Sequence, residues 1–515
     1  MMKALNCTIA FLLVMVLGVQ AQNKITLHTD EADTKINREI YGHFAEHLGR
    51  CIYDGLYVGE GSEIPNIRGF RKDIVDALKD MKVPVLRWPG GCFGDTYHWK
   101  DGIGDKSKRP SIVNVHWGGV TEDNSFGTHE FLDFCQVIGA EPYINLNVGS
   151  GTVQEAAEWV EYITSNNQSP MTDLRKQNGR EEPWDVKYFG IGNENWGCGG
   201  NMTPEYYANL FRRFSTYCYG AQYRIAGGAN VDDYHWTDVL MRETKNVPHL
   251  INGLSLHYYT MPGGWPPSRS ATDFGKQDWH DTMYEVLRMD ELITKHSNIM
   301  DTYDPNKRVG LIVDEWGTWF KSMEGTNPGF LHQQNTLRDA LVAGVGLNIL
   351  NNHSERVKMA NIAQMVNVLQ AVILTKGDQM LLTPTYHVFK MYSVHQDAQL
   401  VPMHLASEKY EMNGRTLDAL NASASVKDGV LSMTLCNLNP DKDIEVEYEV
   451  TGDEYTMASG QLLTSKNITD YNDFDKSTEV VTKPFKVSKP KNGKVKFTVP
   501  SKSVLLVQLQ GEQKL

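Results

Sequence analysis

Two glutamates stand where acid–base and nucleophilic chemistry could be done. Glu194 lies in Gly190-Ile-Gly-Asn-Glu-Asn-Trp196 and Glu315 in Ile312-Val-Asp-Glu-Trp316. Each closes a short apolar run, the first directly after Asn193 and the second directly before Trp316. Cleaving a glycosidic bond takes such a pair: one carboxylic acid protonates the leaving oxygen, and one carboxylate attacks or activates water. A single Glu on a loop is ordinarily just a solvated acid. Two that end apolar runs, one after Gly-Asn and one before Trp, are a more specific signal. Asn193 is placed to hold a ring hydroxyl beside the bond being broken.

The elements that must carry these residues follow from periodicity. Apolar or β-branched runs begin near Ile40, Val83, Glu141, Val186, Tyr223, Gly253, Arg308 and Arg356. They alternate with amphipathic stretches such as Phe70–Met81, Glu130–Ile138, Pro204–Tyr219, Asp281–His296 and Gln334–Leu350. Thr203 before Pro204, with Glu205 in the first turn, marks a helix start. Eight such units predict an α/β fold, an eight-stranded parallel β/α (TIM) barrel over 37–391. No phosphate-cradling glycine fingerprint follows the first run, which argues against a dinucleotide-binding sheet.

In such a barrel the chemistry sits where strands run into their C-terminal loops. The run ends are Glu46 and His47, Arg87 and Trp88 with Cys92 beyond, and Asn145 and Asn147. They continue with Asn193 and Glu194, Asn230, His257 to Tyr259, Glu315, and Gln364. Polar side chains among aromatic rings suit a sugar, and His257 reads as one of its contacts. Rim positions three strands apart face each other across the mouth, which places the two carboxyls ~5 Å apart, the separation of a retaining glycosidase.

From about Tyr392 the pattern changes. Leu431–Cys436, Ile444–Val450 and Lys494–Val499 alternate with period two between Gly, Pro, Asn and Asp. They predict a C-terminal antiparallel β-sandwich over 392–515, docked directly on the barrel. Residues 22–36, with the same alternation in Lys24–His28, add a strand to it. Met1 to Ala21 has one early charge, Lys3, an apolar run from Ile9 to Val19, and Val19-Gln20-Ala21 at its end. That is the pattern of a signal peptide, so the expectation is an exported protein, periplasmic or extracellular. The six cysteines beyond it are sparse, and the expectation is mostly buried free thiols with no disulfide on which the fold depends.

The chain has 515 residues, 41% hydrophobic and 22% charged, with a net charge of -13. Disorder, collagen-like repeats and small disulfide scaffolds are excluded. So acidic a surface repels phosphate backbones, so no nucleic-acid partner is expected. No later segment has the ~20 apolar residues of a membrane span.

The residues also resemble a known family. Tyr41-Gly-His-Phe-Ala-Glu-His-Leu-Gly49, Leu86-Arg-Trp-Pro-Gly-Gly-Cys-Phe93, Tyr97-His-Trp-Lys-Asp-Gly-Ile-Gly104, Ile191-Gly-Asn-Glu-Asn-Trp-Gly197 and Val313-Asp-Glu-Trp316 are similar, in this order, to motifs of glycoside hydrolase family 51, the α-L-arabinofuranosidases. The resemblance implies a barrel plus sandwich and a retaining double displacement, with Glu194 as acid/base and Glu315 as nucleophile. It further implies that Glu46, Arg87, Asn193, Tyr259 and Gln364 surround the furanose, and that Trp265, in the loop Met261–Pro267, flanks the entrance. Cys92 stands where some members have Asn. The family also suggests an assembly of subunits, a homo-oligomer.

In that mechanism Arg87 keeps Glu315 ionised, and the charge of Glu315 raises the pKa of Glu194. The substrate is an arabinose-containing plant polysaccharide or oligosaccharide, and no cofactor is called for. Two other functions compete: an endo-acting β-glucan hydrolase on the same barrel, and a non-catalytic carbohydrate-binding protein. His43-Phe-Ala-Glu-His47 matches a zinc-protease pattern. That chemistry needs one helical face, whereas on an extended strand positions 43 and 47 lie ~13 Å apart. No metal site is therefore expected, and His47 is read as a hydrogen-bonded support. Cys198, among three glycines, is read as part of a tight loop rather than a nucleophile. Of the tryptophans at 99, 117, 196 and 236, half are read as core.

Overall fold

A computed structural model describes residues 23–452, 455–491 and 493–511. The expected signal peptide and Cys7 lie outside the described residues. Eight parallel strands close a barrel: Gly42–Phe44, Val85–Trp88, Glu141–Leu146, Tyr188–Ile191, Tyr223–Asn230, Gly253–Thr260, Gly310–Thr318 and Val357–Ala363. Neighbours pair in chain order, and the eighth strand returns to the first through Ile362 against His43. Each strand begins at or just after the residue read from periodicity. Covered on both faces, such parallel strands read as runs of β-branched and apolar residues.

The helices pack outside. Lys72–Met81, Thr128–Ile138, Pro204–Tyr217, Lys276–Tyr303 and Leu337–Asn352 carry the expected amphipathic stretches. At Pro204 the Thr203 side chain accepts from the backbone N–H of Tyr206, 3.4 Å away. The helix Lys276–Tyr303 extends beyond the apolar pattern at both ends, and buried Trp279 and Met300 anchor the added turns. Leu337–Asn352 is buried on nearly all sides, wedged between barrel and sandwich.

Inside the barrel, Val85, Tyr143, Tyr188, Ile225, Ile312 and Met359 form an apolar cluster of their own at the end where the strands begin. At 25 cal/mol per Å2, such fully buried side chains contribute about 1.5–3 kcal/mol each.

The C-terminal part is a sandwich of two mostly antiparallel sheets. One is ordered Met403–Ala406, Lys24–His28, Ile444–Thr451, Lys494–Val499. The other centres on Leu420–Lys427, Val430–Asn437, Ser503–Gly511 and Tyr455–Leu463. Lys24–His28 lies parallel to Ile444–Thr451 and antiparallel to Met403–Ala406. Barrel and sandwich meet through buried polar contacts: Trp279 Nε1 donates to Leu438 O at 2.8 Å, and Thr434 Oγ1 to Asn348 Oδ1 at 2.7 Å.

Candidate active site

At the end of the seventh strand the Glu315 carboxylate is buried and held by two donors. Arg87 Nη1, from the second strand, lies 2.8 Å from Oε1, and the Tyr259 hydroxyl, from the sixth, donates to Oε2 at 2.8 Å. Arg87 Nη2 donates to Asn193 Oδ1 at 2.6 Å, while the guanidinium lies over the Phe44 ring, 4.5 Å from its centre. Charge-assisted hydrogen bonds of this kind fix an ionised carboxylate and its direction together.

Glu194 follows the fourth strand with φ of 40°, in the left-handed region. Its carbonyl accepts from the N–H groups of Gly197 and Gly199. Position 199 must be glycine, because a Cβ there would fall 2.0 Å from Asn193 O. This tight loop turns the carboxyl back over the mouth. Burial raises the Glu194 pKa most, the charge of Glu315 raises it further, and a hydrogen bond from His257 opposes both. An oxygen of each glutamate and a nitrogen of His257 lie within 4.8 Å of one another, which matches the closely spaced carboxyls of retaining chemistry.

His257 is turned differently from the sugar contact expected of it. Nδ1 lies 2.8 Å from Glu194 Oε1 and 3.6 Å from Glu315 Oε2, and Nε2 lies 3.2 Å from Asp314 Oδ1. Burial alone would push its pKa down, but Glu315, Asp314 and Glu194 together carry it up to about 10. The ring is set among three carboxyl groups, with both nitrogens occupied. Asp314 is the residue that the sequence reading passed over. It also accepts from the Tyr143 hydroxyl at 2.8 Å.

Glu46 lies on the other side of the mouth. It accepts from Trp117 Nε1 at 2.9 Å, Phe93 N–H at 3.1 Å and Gln364 Nε2 at 2.9 Å. Burial, then the charge of Glu315, pushes its carboxyl up to about 7. Glu46, Cys92, Glu194, Tyr259, Glu315 and Gln364 line one small cavity of about 30 Å3 with Trp117, Trp319 and three leucines. Trp319 stands edge-on to Tyr259 and to Trp265, which is 70% exposed at the entrance. Trp117 and Trp319 complete the wall from long loops; no periodic signal marks them. Of the other tryptophans, Trp99 and Trp236 are core, and Trp196 donates to Gly228 O.

Cys92 and Cys198 depart from the free-thiol expectation, since they form a disulfide across 106 residues. The barrel brings the loops of the second and fourth strands side by side, a proximity that sequence spacing does not encode. Cys51, Cys135, Cys218 and Cys436 are free and buried. His43 lies in the first strand against Phe389, whereas His47 accepts from Trp88 Nε1 at 3.1 Å.

Comparison with known proteins decides the family. A model of the α-L-arabinofuranosidase 1 domain matches residues 77–265, and one of the α-L-arabinofuranosidase C-terminal domain matches 314–503. An intracellular exo-α-L-arabinofuranosidase of Bacteroides ovatus is 52% identical over 99% of this chain and 100% of its own. The chain belongs to the α-L-arabinofuranosidases of glycoside hydrolase family 51. The family 51 arabinofuranosidase of Xanthomonas axonopodis pv. citri is 49% identical, with a TM-score of 0.93 over 95% of this chain and 100% of that one. The Thermotoga maritima α-L-arabinofuranosidase in its arabinose complex is 31% identical, with a TM-score of 0.84 over the same shares. The enzyme is therefore a retaining glycosidase that releases terminal α-L-arabinofuranosyl residues, and the β-glucan and pure-binder alternatives are not favoured. The Bacteroides ovatus relative also corrects the expectation of export, since its name places that protein inside the cell. An apolar run after a single lysine is a weak signal against a full-length relative so named. No helix among the described residues is long and apolar enough to cross a membrane.

Proposed function

We propose that Glu315 is the nucleophile and Glu194 the acid/base of a double displacement on a single arabinofuranose. The observation that carries this reading is the asymmetry of the two carboxyls. Both oxygens of Glu315 accept from fixed donors, one of them Arg87, which holds the carboxyl in one direction for attack on the anomeric carbon. Glu194 is held above the usual carboxylate range by burial and by the charge of Glu315, which favours the acid that protonates the leaving oxygen. When the glycosyl-enzyme forms, the charge on Glu315 disappears, the pKa of Glu194 falls, and its carboxylate can then take a proton from water. His257, hydrogen-bonded to Glu194 and close to Glu315, keeps both glutamates in place.

Asn193 Nδ2 and Gln364 Oε1 are buried polar atoms without a hydrogen-bond partner. Such atoms ordinarily find one, and sugar hydroxyls at the anomeric end and the far edge of the ring would supply it. Glu46 would grip the same ring, and Cys92 with Trp265 would bound it. The cavity is small and walled by Trp117, Trp319 and three leucines, which suits one sugar rather than a polymer groove. Together with the name of the Bacteroides ovatus relative, this favours short arabinose-bearing oligosaccharides inside the cell over intact polysaccharide. The test is release of arabinose from arabino-oligosaccharides of increasing length. Rates set by the terminal unit alone support the reading, and rates that climb steadily with length contradict it.

A further inference from the structure

The Cys92–Cys198 bridge has no part in the double displacement, yet it forms a wall against the acid/base. Sγ of Cys198 lies 3.5 Å and Sγ of Cys92 3.9 Å from Glu194 Oε2, while His257 holds Oε1. Sulfur in a disulfide carries no proton, so both contacts are van der Waals and neither donates to the carboxylate. Both cysteines are only partly buried, and Cys92 lines the sugar cavity. The bond also ties the loop that carries Glu194 to the loop beyond the second strand.

We propose that the Cys92–Cys198 bridge is a positioning element for Glu194 and that this bond is a redox control point for turnover. The proposal rests on Glu194 being the acid/base. A dithiol would open the bridge by exchange. One thiolate attacks a cysteine sulfur, the S–S bond breaks to a mixed disulfide, and the second thiol displaces the enzyme's sulfur. The reagent leaves as a cyclic disulfide, and its two electrons and two protons stay on the enzyme as two thiols. In the intracellular setting proposed above, where thiols are kept reduced, a partly exposed bridge is open to this reaction.

Two consequences follow from the geometry. First, the loop loses its cross-link but keeps the bonds from Gly197 N and Gly199 N to Glu194 O and from Asn195 Nδ2 to Gly199 O. The fold therefore persists while the carboxyl relaxes. The expected fall in kcat is about tenfold, less than the ~10²-fold that a 1 Å misplacement can cost. Second, two S–H groups replace two sulfurs without protons beside Oε2. Weak donors there favour the carboxylate, so the limb at which Glu194 deprotonates moves to lower pH. The charged groups facing Glu194 are His257, Glu315, Arg87 and Asp95, and opening the bond alters none of them.

The experiment measures kcat and kcat/KM against pH for phenyl α-L-arabinofuranoside, whose poor leaving group needs the acid. Wild type is assayed before and after dithiothreitol, with bond opening followed by mass spectrometry. The four free cysteines of the described chain cannot respond to the reductant, so any change reports on this bond. The proposal expects slower turnover, a basic limb at lower pH, and reversal on reoxidation. The Cys92→Ser/Cys198→Ser variant, with two hydroxyl donors, should reproduce both effects, and Cys92→Ala/Cys198→Ala only the slower turnover. An open bond with unchanged kcat and pH profile overturns the proposal. Glu194→Ala, run alongside, separates the two claims. If its basic limb persists, the acid/base reading falls and the proposal with it. If that limb is lost there while wild type ignores the reductant, only the role of the bridge falls.

Discussion

Where the eight strands begin, the barrel is filled by Val85, Tyr143, Tyr188, Ile225, Ile312 and Met359. Where the same strands end, it is filled by Arg87, Asn193, His257, Asp314, Glu315 and Gln364, all buried. The first end is held by close apolar packing, which any well-fitting set of side chains can supply. The second buries one guanidinium, one imidazolium and several carboxylates, an arrangement that costs more in desolvation than it returns unless every charge is paired. Each of them is: Arg87 with Glu315, His257 with Asp314 and Glu194, Glu46 with three donors. Tyr143 joins the two regimes, its ring in the apolar cluster and its hydroxyl on Asp314. The difference shows which end exists for stability and which is maintained at a cost for chemistry.

Substitutions at the two ends should therefore separate activity from stability. The largest effect is expected from Glu315→Ala, which should lower kcat by about 10⁴-fold or more in a nitrophenol-release assay. Glu194→Ala should lower kcat/KM by about 10²–10⁴-fold on substrates with poor leaving groups, and far less on 4-nitrophenyl α-L-arabinofuranoside, which departs without a proton; kcat falls on both, because hydrolysis still needs the base. Tyr259→Phe removes one of the two donors on Glu315, and the loss of about 1.5–3 kcal/mol should slow turnover roughly ten- to hundredfold. At the opposite end, Met359→Ala should cost about 2–5 kcal/mol in denaturant unfolding while kcat per folded molecule stays unchanged. If Met359→Ala altered kcat as strongly as Tyr259→Phe, the division between the two ends would fail.

A further effect is on pH-dependent stability. Folded His257 keeps its proton to about 10, against an ordinary 6.5. The stability it contributes is thus whole below 6.5 and lost as pH rises through about 10. Melting temperature should fall across that window in wild type and fall less steeply in His257→Gln.

Much of this arrangement was legible in the residues. The eight runs could be found because buried parallel strands leave continuous β-branched or apolar stretches, and the two glutamates because each ends such a run in a distinctive setting. What stayed hidden has physical reasons. The orientation of His257 depends on Asp314, which looks like an ordinary acidic neighbour of Glu315 until the barrel closes. Trp117 and Trp319 reach the cavity from irregular loops with no period. The bridge between Cys92 and Cys198 is a consequence of two rim loops meeting, not of spacing. The export expectation rested on an N-terminal segment alone, and the full-length Bacteroides ovatus relative set it aside.

The central claim is that Glu315 carries the sugar between the two steps. Glu194→Ala incubated with an activated aryl α-L-arabinofuranoside should accumulate a glycosyl-enzyme, because formation no longer needs the acid while hydrolysis still needs the base. Peptide mass mapping should place one arabinofuranosyl unit on Glu315. A label on Glu46 or Asp314, or turnover in that variant without any covalent species, would contradict the account.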